Sequence, residues 1–269
     1  MSSPVTRSGA DLAAAATPPA ANGANPAPAA REWQARLELA ALYRLIDFHF
    51  GTAEGIYNHV SLRVPGDPDQ FLIKAHGELY REVTASSLIK VPWGADLDER
   101  SHVNRPGFNL HSAILGARPD VNCAIHIHSK AGLAISAHSR GLRMLSQNSL
   151  RFYKRLGYHD YQGIVEDSSE REQIVAALGT QNIALILRNH GLVTVGQSAR
   201  DAFERLRDLI IACDMQLTLE ATGDSGVEIP EEICARAAQQ YVRHDSGRGV
   251  ADWPAWVRLI DSIDPSYRK

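Results

Sequence analysis

The sequence has few of the features that mark secreted, membrane-spanning or nucleic-acid-binding proteins. Its 269 residues include only three cysteines, widely separated and without a CxxC motif, which argues against a disulfide framework. No apolar run approaches the roughly 20 residues that span a bilayer. The formal net charge is −3, so there is no excess of positive charge for nucleic acid or an anionic membrane. We therefore expect a soluble, cytoplasmic protein with neither nucleic acid nor membrane as a partner.

Large apolar side chains are also scarce in the first thirty residues. Residues 12–30 are almost entirely alanine, proline, asparagine and glycine, and such a stretch cannot bury enough surface to offset its ordering entropy. We expect residues 1–30 to form a disordered Ala/Pro-rich tail. A targeting peptide is the alternative, but Arg7 is the sole arginine before Arg31.

The rest of the chain alternates helical and strand patterns without a regular βαβ rhythm. Apolar periodicity predicts helices over residues 31–50, 107–117, 199–221, 231–242 and 255–263. Alternation and β-branched content predict strands over residues 58–64, 71–74, 88–91, 121–128, 183–187 and 192–195. Ser129 is placed to cap a further helix, and residues 65–70 are typical of a turn. This order favours a mixed or antiparallel sheet covered by helices.

Eleven histidines are the one unusual count. His126 and His128 lie two apart in a predicted strand, so their side chains share one face. Imidazole suits Zn²⁺, Fe²⁺, Co²⁺ or Mn²⁺, and His190, before a glycine in a predicted tight turn, would complete an open three-histidine site. His59 and His76 lie in predicted loops, where sites are often built. The remaining isolated histidines are interpreted as structural or exposed: His49, His102, His138 and His244.

Four segments carry a resemblance to a known family, because they occur in its order and spacing. They are NHVSLRV at 58–64, KAHG with LYREVTASSLIKV at 74–91, HSAILGARPDVNCAIHIHS at 111–129 and RNHGLVTVG at 188–196. Together they resemble the class II aldolase/adducin family, which includes fuculose-phosphate aldolase and ribulose-phosphate 4-epimerase. The resemblance covers roughly residues 32–225.

The resemblance implies an α/β fold, a three-layer α/β/α domain with a largely antiparallel central sheet. Residues 31–269 would form this single domain, with helices at its C-terminal end. It also implies one divalent metal ion per subunit on His126, His128 and His190, with Mn²⁺ or Zn²⁺ favoured over Fe²⁺ or Co²⁺. The protein would be a homo-oligomer, a tetramer or larger, with sites at subunit boundaries.

Two departures separate the sequence from the sugar-phosphate aldolases. The loops at 74–77 and 104–107 lack the hydroxyl residues suited to a phosphate, whereas Arg105 and His76 can bind a carboxylate. The family's catalytic glutamate, four residues before His111, is replaced by Gly107, which cannot transfer a proton. A metal reaction with another proton donor and another substrate is therefore expected.

Family members with this pattern include metal-dependent decarboxylases of hydroxylated aromatic or pyridine dicarboxylates and of related ring-cleavage products. We therefore expect a metal-dependent carbon–carbon lyase, a carboxy-lyase more than an aldehyde-lyase, in the catabolism of aromatic compounds. The expected contacts to a small carboxylate substrate are Arg105, Asn58, Ser61, His76 and Gly77. Residues 148–164 are interpreted as one loop rich in acid and base groups, and the candidate proton donors are His159, Tyr153 and Tyr161, with Tyr241 as a further candidate.

Three other functions stay open at the level of the sequence. A non-haem Fe(II) oxygenase of hydroxyphenyl acids would use the same three histidines. An aldolase would need another base in place of Gly107. A non-enzymatic, adducin-like assembly domain would give the three histidines no reason to converge.

Overall fold

The computed structural model describes residues 27–51, 55–95, 97, 102–163, 168–248 and 252–269. Most of the predicted tail lies outside these residues. Its last part does not, and there the prediction is wrong: helix α1 begins at Pro28, three residues before the expected start, and runs to Phe50. Proline suits the first turn of a helix, because its fixed φ is already helical and its missing N–H would have no partner there.

Seven further helices follow α1 in the described part of the chain. They are α2 (Arg105–Ala117), α3 (Lys130–Ser136), α4 (Gln147–Leu150), α5 (Ser168–Leu178), α6 (Ala199–Glu220), α7 (Glu231–Arg243) and α8 (Asp252–Ile263). Asn104, Ser129 and Ser198 cap α2, α3 and α6, each side chain accepting a hydrogen bond from a backbone N–H of the first turn. The predicted cap at Ser129 is therefore confirmed.

Seven strands form one sheet. They are β1 (His59–Val64), β2 (Asp67–Ile73), β3 (Ile89–Pro92), β4 (Cys123–Ile127), β5 (Leu156–His159), β6 (Ala184–Leu187) and β7 (Gly191–Gly196). The order across the sheet is β3-β2-β1-β4-β7-β6-β5. Every neighbouring pair is antiparallel except β5 and β6. The predicted, largely antiparallel sheet is confirmed.

Helices cover both faces of this sheet. One face carries Val60 and Ile125 and packs against α1, α3 and α6. The other face carries Phe71 and Ala124 and packs against α2 and α5. The result is the expected three-layer arrangement. Among the helices that the structure describes, none combines the length and apolar surface that crossing a bilayer requires.

Several local predictions are wrong. Strand β2 begins at Asp67, so the turn before it shrinks to Pro65 and Gly66, where Gly66 takes a φ of +86° that favours glycine. Residues 148–164 do not form one loop, because α4 and β5 lie within them. His59 is the first residue of β1 and does not lie in a loop. Helix α5 was also not predicted, since its apolar residues are confined to its second half.

Candidate metal centre

The three predicted metal ligands are brought together by the centre of the sheet. Strand β4 pairs with β7, with His126 opposite Val193. His126 and His128 lie on the face covered by α2 and α5, because Ala124, two residues earlier, packs in that core. His190 sits in the turn between β6 and β7, directly before β7 begins. Asn189 in this turn has a φ of +57°, a conformation that asparagine tolerates better than most residues.

The imidazole rings converge on one point. The ring centroids lie 4.7 Å apart for His126 and His128, and 4.9 Å from His190 to each of the other two. One nitrogen of each ring lies within 4.8 Å of the others. The Nε2 atoms of His126 and His128 are 2.9 Å apart. With metal–nitrogen bonds of about 2.0–2.2 Å, one ion fits these three donors.

Neighbouring groups fix the orientation of the two ligands on β4. Nδ1 of His126 lies 3.1 Å from the carbonyl oxygen of Leu192, so Nδ1–H donates there and Nε2 keeps a free lone pair. The side-chain oxygen of Asn58 accepts a hydrogen bond from the backbone N–H of His128 at 2.8 Å. Burial, followed by the charges of neighbouring histidines, holds the pKa of His126 well below its ordinary value. His126 is therefore neutral at pH 7, as a metal ligand must be.

Gly191 lets the backbone approach the histidines closely. A Cβ atom at this position would lie 2.8 Å from Cδ2 of His128 and 2.9 Å from the carbonyl oxygen of Ile127. Real side chains do not tolerate such distances, so glycine is required here by space. The glycine after His190 was expected for this reason.

Gly107 has a similar relation to His59. A Cβ atom at Gly107, in the first turn of α2, would lie 2.7–2.8 Å from three ring atoms of His59. His59 is paired in register with His126 on the neighbouring strand, so both rings lie on the same face of the sheet. No side chain fits at position 107 unless the His59 ring moves. The sequence already shows glycine where the family's glutamate is expected, and the structure adds that the His59 ring occupies that space.

The predicted substrate contacts are divided between the interior and the surface. Ser61 is fully buried, and its Oγ lies 2.6 Å from Nδ1 of His111, whose pKa burial lowers to about 3. Arg105 is exposed and donates a hydrogen bond to the Leu97 carbonyl at 2.5 Å. His76 and Gly77 are exposed in the turn after β2.

Of the three candidate proton donors, Tyr161 lies beside the histidine cluster. Its ring centroid is 6.1 Å from that of His190, and 53% of the residue is exposed. His159 ends the edge strand β5, where its carbonyl oxygen accepts a hydrogen bond from the N–H of Arg188, two residues before His190. Its Nε2 lies 3.4 Å from a carboxylate oxygen of Glu170 in α5.

Tyr153 and Tyr241 are engaged elsewhere. The Tyr153 hydroxyl donates to Glu231 at 2.6 Å on the surface. The ring of Tyr241 lies under the guanidinium of Arg151, 4.5 Å from its central carbon. These two tyrosines are thus held by Glu231 and Arg151, neither of which belongs to the histidine cluster.

Among the described residues, a second group of possible ligands consists of Glu204, His244 and Asp245. Asp245 is already paired with Arg151 at 3.1 Å and with Arg205 at 3.5 Å. Two guanidinium groups at these distances repel a divalent cation. We therefore assign this group to an ion-pair network between α6 and the end of α7.

One residue of the site region that sequence analysis missed is Lys74. It is buried, and its Nζ donates to the carbonyl oxygens of Ile56 at 3.0 Å and Glu78 at 2.9 Å. It thereby joins the segment before β1 to the turn that carries His76. A lysine between a strand and a turn gives no sign of burial in a single sequence.

Comparison with known proteins gives the family directly. The model of the Class II Aldolase and Adducin N-terminal domain matches residues 37–217. A crystal structure of an aldolase II superfamily protein from Pseudomonas syringae is 40% identical, with a TM-score of 0.81, over 89% of this chain and 96% of that one. The L-fuculose 1-phosphate aldolase of Glaciozyma antarctica is 29% identical, with a TM-score of 0.78, over 94% of this chain and 97% of that one.

The adducins are also similar. Alpha-adducin of Rattus norvegicus is 47% identical over 244 residues, which is 85% of this chain but only 33% of alpha-adducin. A three-layer α/β/α domain whose central sheet brings three histidines together defines a class II aldolase-type protein. The chain belongs to the class II aldolase/adducin family, as its motifs indicated.

Proposed function

We propose that the protein is a divalent-metal-dependent carbon–carbon lyase that uses His126, His128 and His190 as metal ligands. The observation that carries this proposal is the convergence of three imidazoles, with the Nδ1–H of His126 directed to a carbonyl and its Nε2 free. When bound, such an ion stabilises the enolate-like charge that develops on a substrate oxygen during carbon–carbon cleavage. Mn²⁺ or Zn²⁺ is the favoured ion.

Within this class we propose a decarboxylase of a small hydroxylated aromatic or other unsaturated dicarboxylate. The lack of space at Gly107 supports it, because an aldolase-type carboxylate base has no room there. Arg105, exposed at the start of α2, and His76 and Gly77, exposed in the turn after β2, would meet a substrate carboxylate. Asn58 and Ser61 would shape the floor of the site from β1 and the residue before it.

Tyr161 is the proposed proton donor. Its exposed ring next to His190 supports this role, whereas His159 and Tyr153 have other partners. As the bond to the leaving carboxylate breaks, CO₂ departs and the electron pair stays on carbon. The Tyr161 hydroxyl then gives its proton to that carbon.

Metal analysis tests the ligand set. We expect about one Mn or Zn per chain in the purified protein, and less than a tenth of that in His128→Ala, because two imidazoles are a poor site for these ions. His102→Ala is the matched control, since His102 is an exposed histidine and should leave loading unchanged. Full loading of His128→Ala would contradict the assignment.

Release of CO₂ from hydroxylated aromatic dicarboxylates tests the reaction. Tyr161→Phe should lose 100-fold or more in kcat, the usual scale for a proton donor, with unchanged metal content. His159→Gln should keep most of the activity. If the two variants behave in the opposite way, the proton donor is His159.

A non-enzymatic assembly domain is the second candidate, favoured by the 47% identity to alpha-adducin. It predicts no metal uptake even after reconstitution. In either case we propose a cytoplasmic homotetramer, and its mass in solution by light scattering should be four times that of one chain.

A further inference from the structure

A buried histidine next to the metal ligands has no partner in the mechanism described above. His59 is 5% exposed, and neither of its ring nitrogens has a hydrogen-bond partner. A buried polar atom without a partner destabilises the fold, so such atoms are rare and call for an explanation. His59 lies opposite His126 in register, on the face of the sheet that carries the ligands.

The ring of His59 fills the space that Gly107 leaves. A Cβ atom at position 107 would lie only 2.7–2.8 Å from atoms of this ring. The His59 imidazole in its present position and a side chain at position 107 therefore cannot occupy this space together. The sugar-phosphate aldolases are expected to present a carboxylate from position 107. This chain instead presents an imidazole from β1 into the same volume, which replaces a carboxylate with an N–H donor.

The surroundings of His59 are basic. After burial, the groups that lower its pKa are His111, Lys74, His128 and His76, in that order, and all four are bases. An imidazole carries at least one N–H donor in either protonation state. A carboxylate beside the metal would be repelled by a glutamate at position 107 but can accept a hydrogen bond from this N–H.

We propose that His59 is a specificity-determining residue that donates a hydrogen bond to a carboxylate of the substrate bound beside the three histidines. This inference rests on the proposed function, since it names the group that makes the site accept an anionic substrate. It assigns to His59 a contact with substrate and no role as a metal ligand.

Binding of oxalate to the manganese-loaded full-length protein tests this contact, measured by isothermal titration calorimetry. Oxalate is a small dicarboxylate, and its binding requires no turnover. His59→Leu removes the donor while keeping an apolar side chain of moderate size, and it should weaken oxalate binding 10-fold or more. His59→Gln restores an N–H donor and should stay within about 3-fold of the unchanged protein, a difference of about 0.7 kcal/mol.

His49→Leu is the matched control. His49 also has a buried ring nitrogen without a partner, but it lies in α1 against Phe203, on the opposite face of the sheet. It should not change oxalate affinity. Metal content and melting temperature, measured for every variant, detect a merely structural role of His59, which would lower them in His59→Leu and His59→Gln alike.

The pairing with Gly107 gives an independent measurement. Gly107→Ala should displace the His59 ring and weaken oxalate binding, whereas in a His59→Ala background the same change should cost nothing further. Gly94→Ala serves as the control, because a Cβ at Gly94 meets nothing within 4 Å.

The outcomes separate the two proposals. A protein that takes up no metal contradicts the proposed function and this inference with it. A loaded protein in which His59→Leu binds oxalate as tightly as the unchanged chain, or in which His59→Gln fails equally, contradicts this inference alone.

Discussion

At the level of single residues, the smallest side chains determine where the histidine rings lie. Gly191 and Gly107 each have a histidine ring inside the distance that a Cβ would require. The two glycines lie in different elements, the start of β7 and the first turn of α2. The ring positions of His128 and His59 therefore depend on residues whose own chemistry is inert.

Gly191→Ala is expected to weaken metal binding without unfolding the protein. The new methyl group must push against the ring of His128 or the carbonyl of Ile127, and moving a ligand by a few tenths of an ångström lowers affinity. We expect a 10-fold or greater loss, about 1.4 kcal/mol, in a competition assay with a chromophoric chelator. Gly94→Ala should bind metal normally. Equal affinities in the two variants would show that the turn adapts freely.

The sequence was enough to predict that His126, His128 and His190 converge, but not which residues surround them. The spacing of His126 and His128 in a strand requires that they share a face, and the family motif adds His190. The contact between His59 and Gly107 joins β1 to α2, positions 48 apart in the chain. Nothing in a single sequence reports which ring fills the space over a glycine.

At the level of elements, Lys74 joins two segments beside the site. Its ammonium holds carbonyl oxygens of Ile56, before β1, and of Glu78, after β2. Burial lowers the pKa of Lys74 to about 8, whereas an unfolded chain has an ordinary lysine pKa of about 10.4. Between these values the unfolded chain binds more protons, so the stability that depends on Lys74 rises with pH.

Lys74→Met should remove this dependence. Relative to the variant, the unchanged protein should gain on the order of 1 kcal/mol in free energy of unfolding between pH 7.5 and 9.5. Urea denaturation at both pH values measures it, and Lys90→Met, an exposed lysine on β3, is the control. If the difference in free energy of unfolding between the unchanged protein and Lys74→Met is the same at both pH values, the Lys74 pKa is ordinary.

Elements with strong local signals were predicted, and those that depend on distant pairing were not. The hairpin of β6 and β7 and the long helix α6 agree with their predicted positions to within a few residues. Strand β5 has four residues and is defined by its parallel pairing with β6, 25 residues or more further on. Missing it misplaced His159, since a residue expected in a loop lies at the end of an edge strand.

At the level of the whole molecule, the centre of the sheet carries both the fold and the proposed chemistry. The three histidines come from β4, from the residue directly after it and from the turn before β7, and β4 and β7 are adjacent strands in the middle of the described sheet. The chain is 29% identical in sequence to an L-fuculose 1-phosphate aldolase. It is 47% identical to alpha-adducin, over a stretch that makes up a third of that protein. Sequence similarity alone therefore does not decide between an enzyme and an assembly domain, and a measurement of metal binding is needed to distinguish them.

A bound ion should stabilise the whole chain, because a site made of two strands exists only in the folded state. At a free metal concentration 100-fold above the dissociation constant, binding adds about 2.7 kcal/mol to the free energy of unfolding. We expect EDTA to lower the melting temperature of the unchanged protein and added Mn²⁺ or Zn²⁺ to restore it. His128→Ala should melt at one temperature under all three conditions. If neither EDTA nor added metal changes the melting temperature of the unchanged protein, its three converging histidines do not bind a metal ion. The assembly domain would then be the better description.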